Sequence, residues 1–330
     1  MKRTLLFWIL CIPFLVHAQL EDVRFTISGG LTDPHLKTTI EENISQFLCA
    51  CNKAVMEGSN PELSNTIVTK ESKKLILELW KSSPMVCPLS KVEEICLNTA
   101  DKGLQIRNIP VSIMNADDTN KQQELVISLT NKGLIDNVMI AIEENKYKEI
   151  MSEHESVEDL YRRQVIIDFV ENYRTSYNRK DIKFIESVFS DNALIITGKV
   201  VKERPRSDQA LLSLGKEKVI YQKQNKQEYV TNLKKVFGRN KYMNILFDEI
   251  EVIQHPKYPD IYGVTLKQEW NADTYRDIGF IFLMIDFQDE LNPLIQVRTW
   301  QPEKVNNQAL ARDEVFSLGD FDIVRSLIND

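Results

Sequence analysis

Residues 169–198 read FVENYRTSYNRKDIKFIESVFSDNALIITG and contain the transitions that decide the fold. The stretch begins inside a long helix whose apolar positions repeat at helical spacing: Ile166, Phe169, Val170, Tyr173 and Tyr177. We expect this helix to end at Asn178, and Asp181 to cap a short second helix. The apolar run ALIIT, which stops at Gly198, then predicts a strand. A long helix, a short helix and a strand in this order predict an α+β domain.

The same order of elements occurs in both halves of the chain. In the first half, Asp33 and Pro34 begin a long helix that Gly58 ends, and strands follow from residue 104 onward. In the second half, four strands between residues 244 and 301 close the pattern. The shared order predicts two tandem α+β domains, 19–147 and 157–330, joined by a charged linker at 148–156.

Local signals predict several details of these domains. A capping box at Asn225–Glu228 begins a helix, and a similar box at Ser90–Glu93 predicts another short helix. The alternation of residues 244–254 slips at Asp248 and Glu249, which indicates a bulge. The segment IGFIFLMIDF, residues 278–287, is apolar on both faces and therefore predicts the central strand of its sheet.

The first 18 residues have the pattern of a secretory signal peptide. Lys2 and Arg3 precede the apolar run LLFWILCIPFLV, and small Ala18 stands before Gln19. The alternative is an uncleaved anchor, but the run is shorter than the roughly 20 apolar residues that a span needs. We therefore expect cleavage near Ala18–Gln19 and a periplasmic or extracellular location.

Composition excludes several classes of function. An apolar fraction of 43% is that of a globular chain, and a net charge of −7 disfavours nucleic acid as a partner. No later stretch is long and apolar enough to span a membrane. The chain has 4 His, none beside a Cys pair at ligand spacing, so we expect no metal site. No Gly-rich phosphate loop occurs, and we predict no cofactor.

The cysteines after the predicted cleavage point leave two interpretations open. Cys87 and Cys96 flank the predicted short helix, and an exported setting permits a disulfide between them. Alternatively, Cys49, Cys51, Cys87 and Cys96 are four buried thiols in apolar surroundings.

The second half resembles the cone-shaped nuclear transport factor 2-like fold. The stretch quoted above is similar to the family's opening, and DIGFIFLMIDFQDELNPLIQVRTWQP, residues 277–302, is similar to its last two strands. The resemblance covers about residues 157–303, and the first half shares only the order of elements. It implies two tandem cone-like α+β domains, each a long helix and short helices against a curved antiparallel sheet with a pocket. The whole chain is similar to exported bacterial proteins that carry this module without an assigned reaction.

Enzymes with this fold, such as ketosteroid isomerase and scytalone dehydratase, place acidic, Tyr or His residues in the cone. Asp286 is the clearest candidate here, because it follows the apolar positions of the predicted central strand. Gln296, Arg298 and Trp300 share one face of the next strand, and a loop centred near residues 290–292 would place Asp286 opposite or diagonal to Arg298. This pair is either a polar cluster at a pocket mouth or an ion pair that fixes the strand register.

Aromatic residues supply the other pocket candidates: Tyr173, Tyr177, Trp270, Phe282 and Trp300. Each has core packing as its alternative interpretation. Gln296 cannot titrate, and no His falls on an inward position, which argues against acid–base catalysis.

The sequence therefore predicts an exported, non-catalytic binding or assembly protein whose partner is a small apolar ligand or another protein. Pairing of two copies through their sheets is also expected. The alternative is a small-molecule isomerase, dehydratase or hydrolase that uses Asp286 with Tyr173.

Overall fold

The computed structural model describes residues 22–99, 103–114, 121–202, 217–290 and 292–323, and the predicted signal peptide lies outside these ranges. The chain divides into two compact units, Met1–Arg179 and Lys180–Asp330. Each unit is built around a mixed sheet of six strands with helices, which confirms the predicted α+β class. No helix among the described residues has the length and apolarity needed to cross a membrane.

The first unit contains six strands and four helices in its described part. They are β1 Arg24–Gly29, α1 Pro34–Glu57, α2 Lys70–Ser82, β2 Met85–Val86, β3 Lys91–Asn98, β4 Leu104–Ile113, β5 Gln122–Leu129, β6 Ile135–Ile140, α3 Glu144–Ser152 and α4 Val157–Arg179. The strand order is β1-β3-β4-β5-β6, with β2 paired to β4. β1 and β3 run parallel, and the other pairs run antiparallel. The sheet is therefore mixed, whereas the prediction was an antiparallel sheet.

Helix α1 follows its sequence signals closely. Asp33 accepts hydrogen bonds from the first-turn amides of His35 and Leu36, and Gly58 ends the helix in the left-handed region at φ 63°. The apolar stripe of this helix enters the core of the first unit: Ile40, Ile44, Phe47, Leu48 and Cys51. Local capping and helical periodicity therefore agree with the tertiary packing here.

The prediction of a short helix from Ser90–Glu93 is wrong, because Lys91–Asn98 form the strand β3. Val92 lies beside Phe25 of β1, and Cys96 lies beside Ile106 of β4, so pairing on both sides overrides the local capping pattern. All four described cysteines are free thiols, so the bridge between Cys87 and Cys96 is not formed. Cys51, Cys87 and Cys96 are buried in the apolar core and Cys49 is half-buried, so the alternative interpretation of four buried thiols holds for three of them.

In its described part, the second unit contains a six-stranded sheet, two α-helices, two short 3-10 helices at Arg312–Glu314 and Leu318–Asp320, and a small hairpin. The elements are α5 Ile182–Ser187, β7 Phe189–Lys202, β8 Glu217–Gln224, α6 Lys226–Arg239, β9 Met243–Gln254, β10 Ile261–Ala272, β11 Arg276–Asp286, β12 Leu294–Pro302, β13 Lys304–Val305 and β14 Gln308–Ala309. The strand order is β8-β7-β12-β11-β10-β9, and only β12 and β7 run parallel among these described pairs. β11 is an interior strand of the sheet, as its two apolar faces predict.

Three local predictions for the second unit are confirmed. Asp181 caps α5 through the Phe184 amide, and Asn225 with Glu228 forms the capping box of α6. The register between β9 and β10 shifts where Glu249 adopts φ 49°, so the predicted bulge is present.

Helix α4 groups with the first unit by its packing. Its Thr175 and Glu171 side chains accept hydrogen bonds from the amides of Ile140 and Ile142, at the end of β6. Residues 144–152, which overlap the predicted linker, form α3. The division by contacts therefore falls after Arg179, one helix later than the linker predicted at 148–156.

Candidate functional site

The strand register separates two faces of the second sheet. Arg298 of β12 lies opposite Leu283, and Trp300 lies opposite Ile281 on β11. The guanidinium of Arg298 stands over the Tyr229 ring of α6, 5.1 Å from its centre, so α6 covers this side of the sheet. We call this side the Arg298 face. On β10, Leu266 lies opposite Ile281, and Trp270 shares the face of Leu266 by alternation. The structure therefore places the predicted site residues Arg298, Trp270 and Trp300 on one face.

Gln268 is a further polar residue on the same face, and it was not among the predicted site residues. It lies opposite Gly279 on β11 and opposite Phe247 on β9. Its side chain is 3% exposed, and its Oε1 is buried with no hydrogen-bond partner among the described residues. An unpaired buried amide oxygen is costly, so such an atom marks a position suited to an external donor.

Gly279 opens space beside Gln268 for an aromatic ring. A Cβ at Gly279 would stand 2.7 Å from two carbons of the Trp300 indole and would also collide with the Gln301 carbonyl oxygen. The indole therefore lies directly over the glycine backbone, next to the amide of Gln268. Gln268, Gly279 and Trp300 form a contiguous patch with one hydrogen-bond acceptor and one aromatic surface.

Arg298 adds a buried cation to this face. Its side chain is 4% exposed, and the Tyr229 ring beneath it supplies a cation–π contact. Guanidinium, amide and indole groups bind ligands through hydrogen bonds, charge and stacking. At neutral pH none of these three groups exchanges protons readily.

The carboxylate that shares this register is Asp277, opposite Trp270 near one end of β11. Tyr275 donates its hydroxyl hydrogen to Asp277. Burial raises the pKa of Asp277 above its usual range, although this hydrogen bond and that from the Ile278 amide act in the opposite direction. Burial, together with the neighbouring Asp277 carboxylate, also raises the pKa of Tyr275. These two residues form a polar pair at the edge of the Arg298 face.

Phe282 and Asp286 lie on the opposite face of the sheet. Phe282 is opposite Thr299, and Asp286 is opposite Leu294 rather than Arg298. The predicted pairing fails because Arg298 pairs with Leu283, which leaves Asp286 on the other face of the sheet; the register then shifts by one residue at Gln296, which is half-buried. Asp286 instead accepts a hydrogen bond of 2.8 Å from the Gln288 amide in the hairpin loop.

The C-terminal segment of the second unit covers this opposite face, which we call the Phe282 face. The Phe321 ring stacks on Phe282 with centres 5.5 Å apart, and Leu318 fills the space above Gly263. Gln301 accepts a hydrogen bond from the Phe316 amide at 2.7 Å. Phe282 is therefore a packing residue beneath the chain's own tail.

Tyr173 and Tyr177 lie on α4 in the first unit. Both are fully buried, and their hydroxyl groups are 2.7 Å apart. Phe169 stacks on Tyr173 at 5.8 Å between ring centres. These contacts make the two tyrosines part of a packed aromatic ladder along one side of the helix.

Helix α4 also carries a buried ion pair that the apolar pattern did not indicate. Arg107 of β4 binds both carboxylate oxygens of Glu171, whose side chain is 0% exposed. Burial lowers the pKa of Arg107, but the charge and hydrogen bonds of Glu171 outweigh that effect and raise it. Asp168 lies 3.6 Å from the same guanidinium, and the Tyr147 ring lies 4.2 Å from it. All these groups are already bound, which indicates a structural network.

Within the described ranges, no cluster of three or more His, Cys, Asp or Glu side chains is arranged to hold a metal ion. No family model matches the chain, and no curated protein matches it.

Several solved structures are similar to this chain at low identity. Bd1075 of Bdellovibrio bacteriovorus is 11% identical, with a TM-score of 0.33 over 64% of this chain and 93% of that one. An NTF2-like protein of Cytophaga hutchinsonii is 13% identical, with a TM-score of 0.32 over 43% and 98%. A protein of Novosphingobium aromaticivorans, proposed to be a scytalone dehydratase, is 8% identical, with a TM-score of 0.33 over 46% and 91%. The similar structures thus include proteins of the nuclear transport factor 2-like family that residues 157–303 resemble.

Proposed function

We propose that this protein is an exported binding protein that holds a small ligand on the Arg298 face of its second sheet. The ligand class that fits has an aromatic or apolar body, one hydrogen-bond donor and a negative charge. The body would stack on the Trp300 indole, the donor would bind Gln268 and the charge would approach Arg298. This assignment uses three side chains that share one face by register.

The unpaired Oε1 of Gln268 carries the proposal. A side chain that is 3% exposed and has an unsatisfied acceptor destabilises the folded protein unless another group supplies the hydrogen bond. A ligand donor would satisfy that oxygen and convert the unfavourable burial into binding free energy. The indole of Trp300, which packs over Gly279, would offer the apolar contact that a small ligand also needs.

A binding role without catalysis is supported by the placement of the titrating groups. The carboxylate of Asp286 belongs to the Phe282 face, away from the residues proposed to bind. Asp277 and Tyr275 favour a second candidate function, because a carboxyl group with a raised pKa beside a hydroxyl can exchange protons. That function would be a small-molecule isomerase, dehydratase or hydrolase, with Asp277 in the role expected of Asp286.

The test uses 8-anilinonaphthalene-1-sulfonate, an aromatic anion with one N–H donor, and follows energy transfer from tryptophan. We expect Trp300→Leu and Gln268→Met each to weaken binding about threefold to tenfold, measured by titration with Trp270 on the same face as the remaining donor in Trp300→Leu. Asp286→Asn on the Phe282 face is the matched control and should bind like the unchanged chain. Equal binding by all variants would contradict the proposal.

The catalytic alternative is separated from binding by Asp277→Asn. Under the binding proposal this variant retains affinity for the dye within about twofold, because Asp277 lies at the strand end. Loss of a turnover activity in this variant, with dye affinity unchanged, would favour the enzyme.

A further inference from the structure

The outer strands of a sheet expose unpaired backbone groups, and this chain closes most of its sheet edges by identifiable means. In the first sheet, β1 lies at one edge. Its outward amides at Val23, Phe25 and Ile27 donate to Cys49, Ser45 and Glu41 of α1, at 3.3, 2.9 and 2.7 Å. Three side chains spaced four residues apart on one helix thus occupy the positions that another strand would take.

The other edge of the first sheet, β6, is closed by α4. The amides of Ile140 and Ile142 donate to Thr175 and Glu171, at 3.1 and 2.8 Å. Arg174 donates to the carbonyl oxygen of Ala141 at 3.1 Å, in the same segment. Helix side chains therefore bind two donors and one acceptor at the end of this edge.

In the second sheet, the β9 edge is protected by irregularity and charge. Glu249 sits in the bulge at φ 49°, which interrupts the regular ladder that an added strand would need. Acidic Asp248 and Glu251 flank the bulge, and Arg312 of the C-terminal segment binds Glu251 at 2.6 Å.

β8 is the other outer strand of the second sheet, and its protection stops at its first residue. The amide of Glu217 donates to Asn306 at 2.6 Å, and its carbonyl oxygen accepts from Asn306 at 2.9 Å. The backbone N–H and C=O groups of Glu217 therefore point away from β7. Because this direction alternates along a strand, the backbone groups of Val219, Tyr221 and Lys223 also point outward. Along the described chain, no strand pairs with this outer side of β8.

The β8 edge is also apolar for an exposed strand. Ile220 is 49% exposed and Tyr221 is 42% exposed. Val200 of β7, which lies beside Val219, is exposed as well. A regular, exposed strand with apolar side chains on both faces is a template for strand addition.

We propose that β8 is a docking edge for a second copy of this chain, which pairs antiparallel through the same strand. A twofold axis at Ile220 places Val219 beside the partner's Tyr221, with both backbones facing each other, so that each pair exchanges its hydrogen bonds. The paired segment ends where Asn306 binds the Glu217 backbone, and there the same register brings the side chains of Glu217 and the partner's Lys223, an opposite-charge pair, close together. Lys218 lies beside the partner's Gln222. The strand is thus complementary to itself in both charge and apolar contact.

Sedimentation of the purified chain tests this interface, with Val219→Pro as the deciding variant. Proline removes an outward amide without disturbing a bond to β7, and edge strands tolerate it. We expect the unchanged chain to dimerise and Val219→Pro to weaken the dimer about tenfold or more. Val219→Thr, which keeps the amide, is the matched control and should dimerise like the unchanged chain.

Two further variants keep the test decisive if Val219→Pro folds poorly. Ile220→Lys places two ammonium groups together at the twofold axis, and Lys223→Glu places two carboxylates together, so both should dissociate the dimer, more strongly at low salt. Circular dichroism and melting of each variant confirm the monomer fold. A chain that stays monomeric up to roughly 100 μM, or a dimer that ignores all three variants, would overturn the proposal.

Discussion

The buried pair of Arg107 and Glu171 gives the strongest prediction about stability. Glu171→Gln removes the charge that balances a guanidinium 4% exposed, while a similar shape remains. Glu171 also accepts the Ile142 amide at 2.8 Å, and a Gln oxygen can retain only part of these bonds. Breaking one partner of a buried pair costs roughly 3–5 kcal/mol. Because Asp168 lies 3.6 Å from Arg107 and compensates in part, we expect about 3 kcal/mol for Glu171→Gln.

Urea unfolding followed by Trp80 fluorescence measures this loss in the first unit. A background with Trp270→Phe and Trp300→Phe removes the described tryptophans of the second unit, and Trp80 is buried in the first core. Arg107→Met should cost a similar amount, since it leaves Glu171 without its counter-charge. The double variant should cost at least about 2 kcal/mol less than the sum of the single variants. Single losses below about 1 kcal/mol, or strictly additive losses, would refute the claim that this ion pair is coupled.

Three smaller changes test other parts of the fold. Burial, with the charges of Glu144 and Glu124, raises the pKa of Glu94 to about 7. The folded protein therefore favours the protonated side chain, and the free energy of unfolding declines as pH rises through that value. Glu94→Gln should remove about 1 kcal/mol of this decline between pH 5 and 8, measured in thermal melts and with allowance for solvent screening. Gly279→Ala should cost about 1–3 kcal/mol and shift Trp300 emission, because the new methyl displaces the indole. Phe321→Ala should lower the free energy of unfolding by about 1–2 kcal/mol and increase amide exchange in residues 312–323, because the stacked ring is lost. Unchanged exchange in these residues would contradict a role of Phe321 in holding the C-terminal segment on the sheet.

Capping motifs were predictable where the information is local. Asp33, Asp181 and Asn225 each bind amides within three residues, so the letters alone define the helix start. Ser90 has the same pattern and begins no helix, because Val92 gains a neighbouring strand from residue 25. A capping box specifies a helix only where no distant strand competes for the same backbone groups.

Which residues share the candidate site depends on the strand register, and the amino-acid sequence does not determine that register. Alternation placed Arg298 and Trp300 on one face correctly, since two residues on the same strand need no partner. Asp286 was placed opposite Arg298 by counting across the hairpin, but Arg298 pairs with Leu283, and a miscount by an odd number of residues moves Asp286 to the other face. Gln268 could have been found from the one polar interruption in the alternation of β10, between Leu266 and Trp270.

The polar interior of α4 and the open edge of β8 have a common physical explanation. Burying the polar side chains of Glu171, Arg174 and Thr175 on a helix is unfavourable unless each forms a hydrogen bond. Each of them binds a backbone group of residues 140–142, at the end of β6. These side chains act in place of another strand, so the first sheet cannot be extended at β6, and α1 has the same effect at β1. Among the described outer strands, β8 keeps Val219 to Tyr221 regular and apolar, so this part of its edge can accept a strand without first losing a contact. If the chain assembles by strand pairing, the second sheet must therefore carry the interface, and removing the α1 side chain at Ser45 should not change the dimer that Val219→Pro weakens.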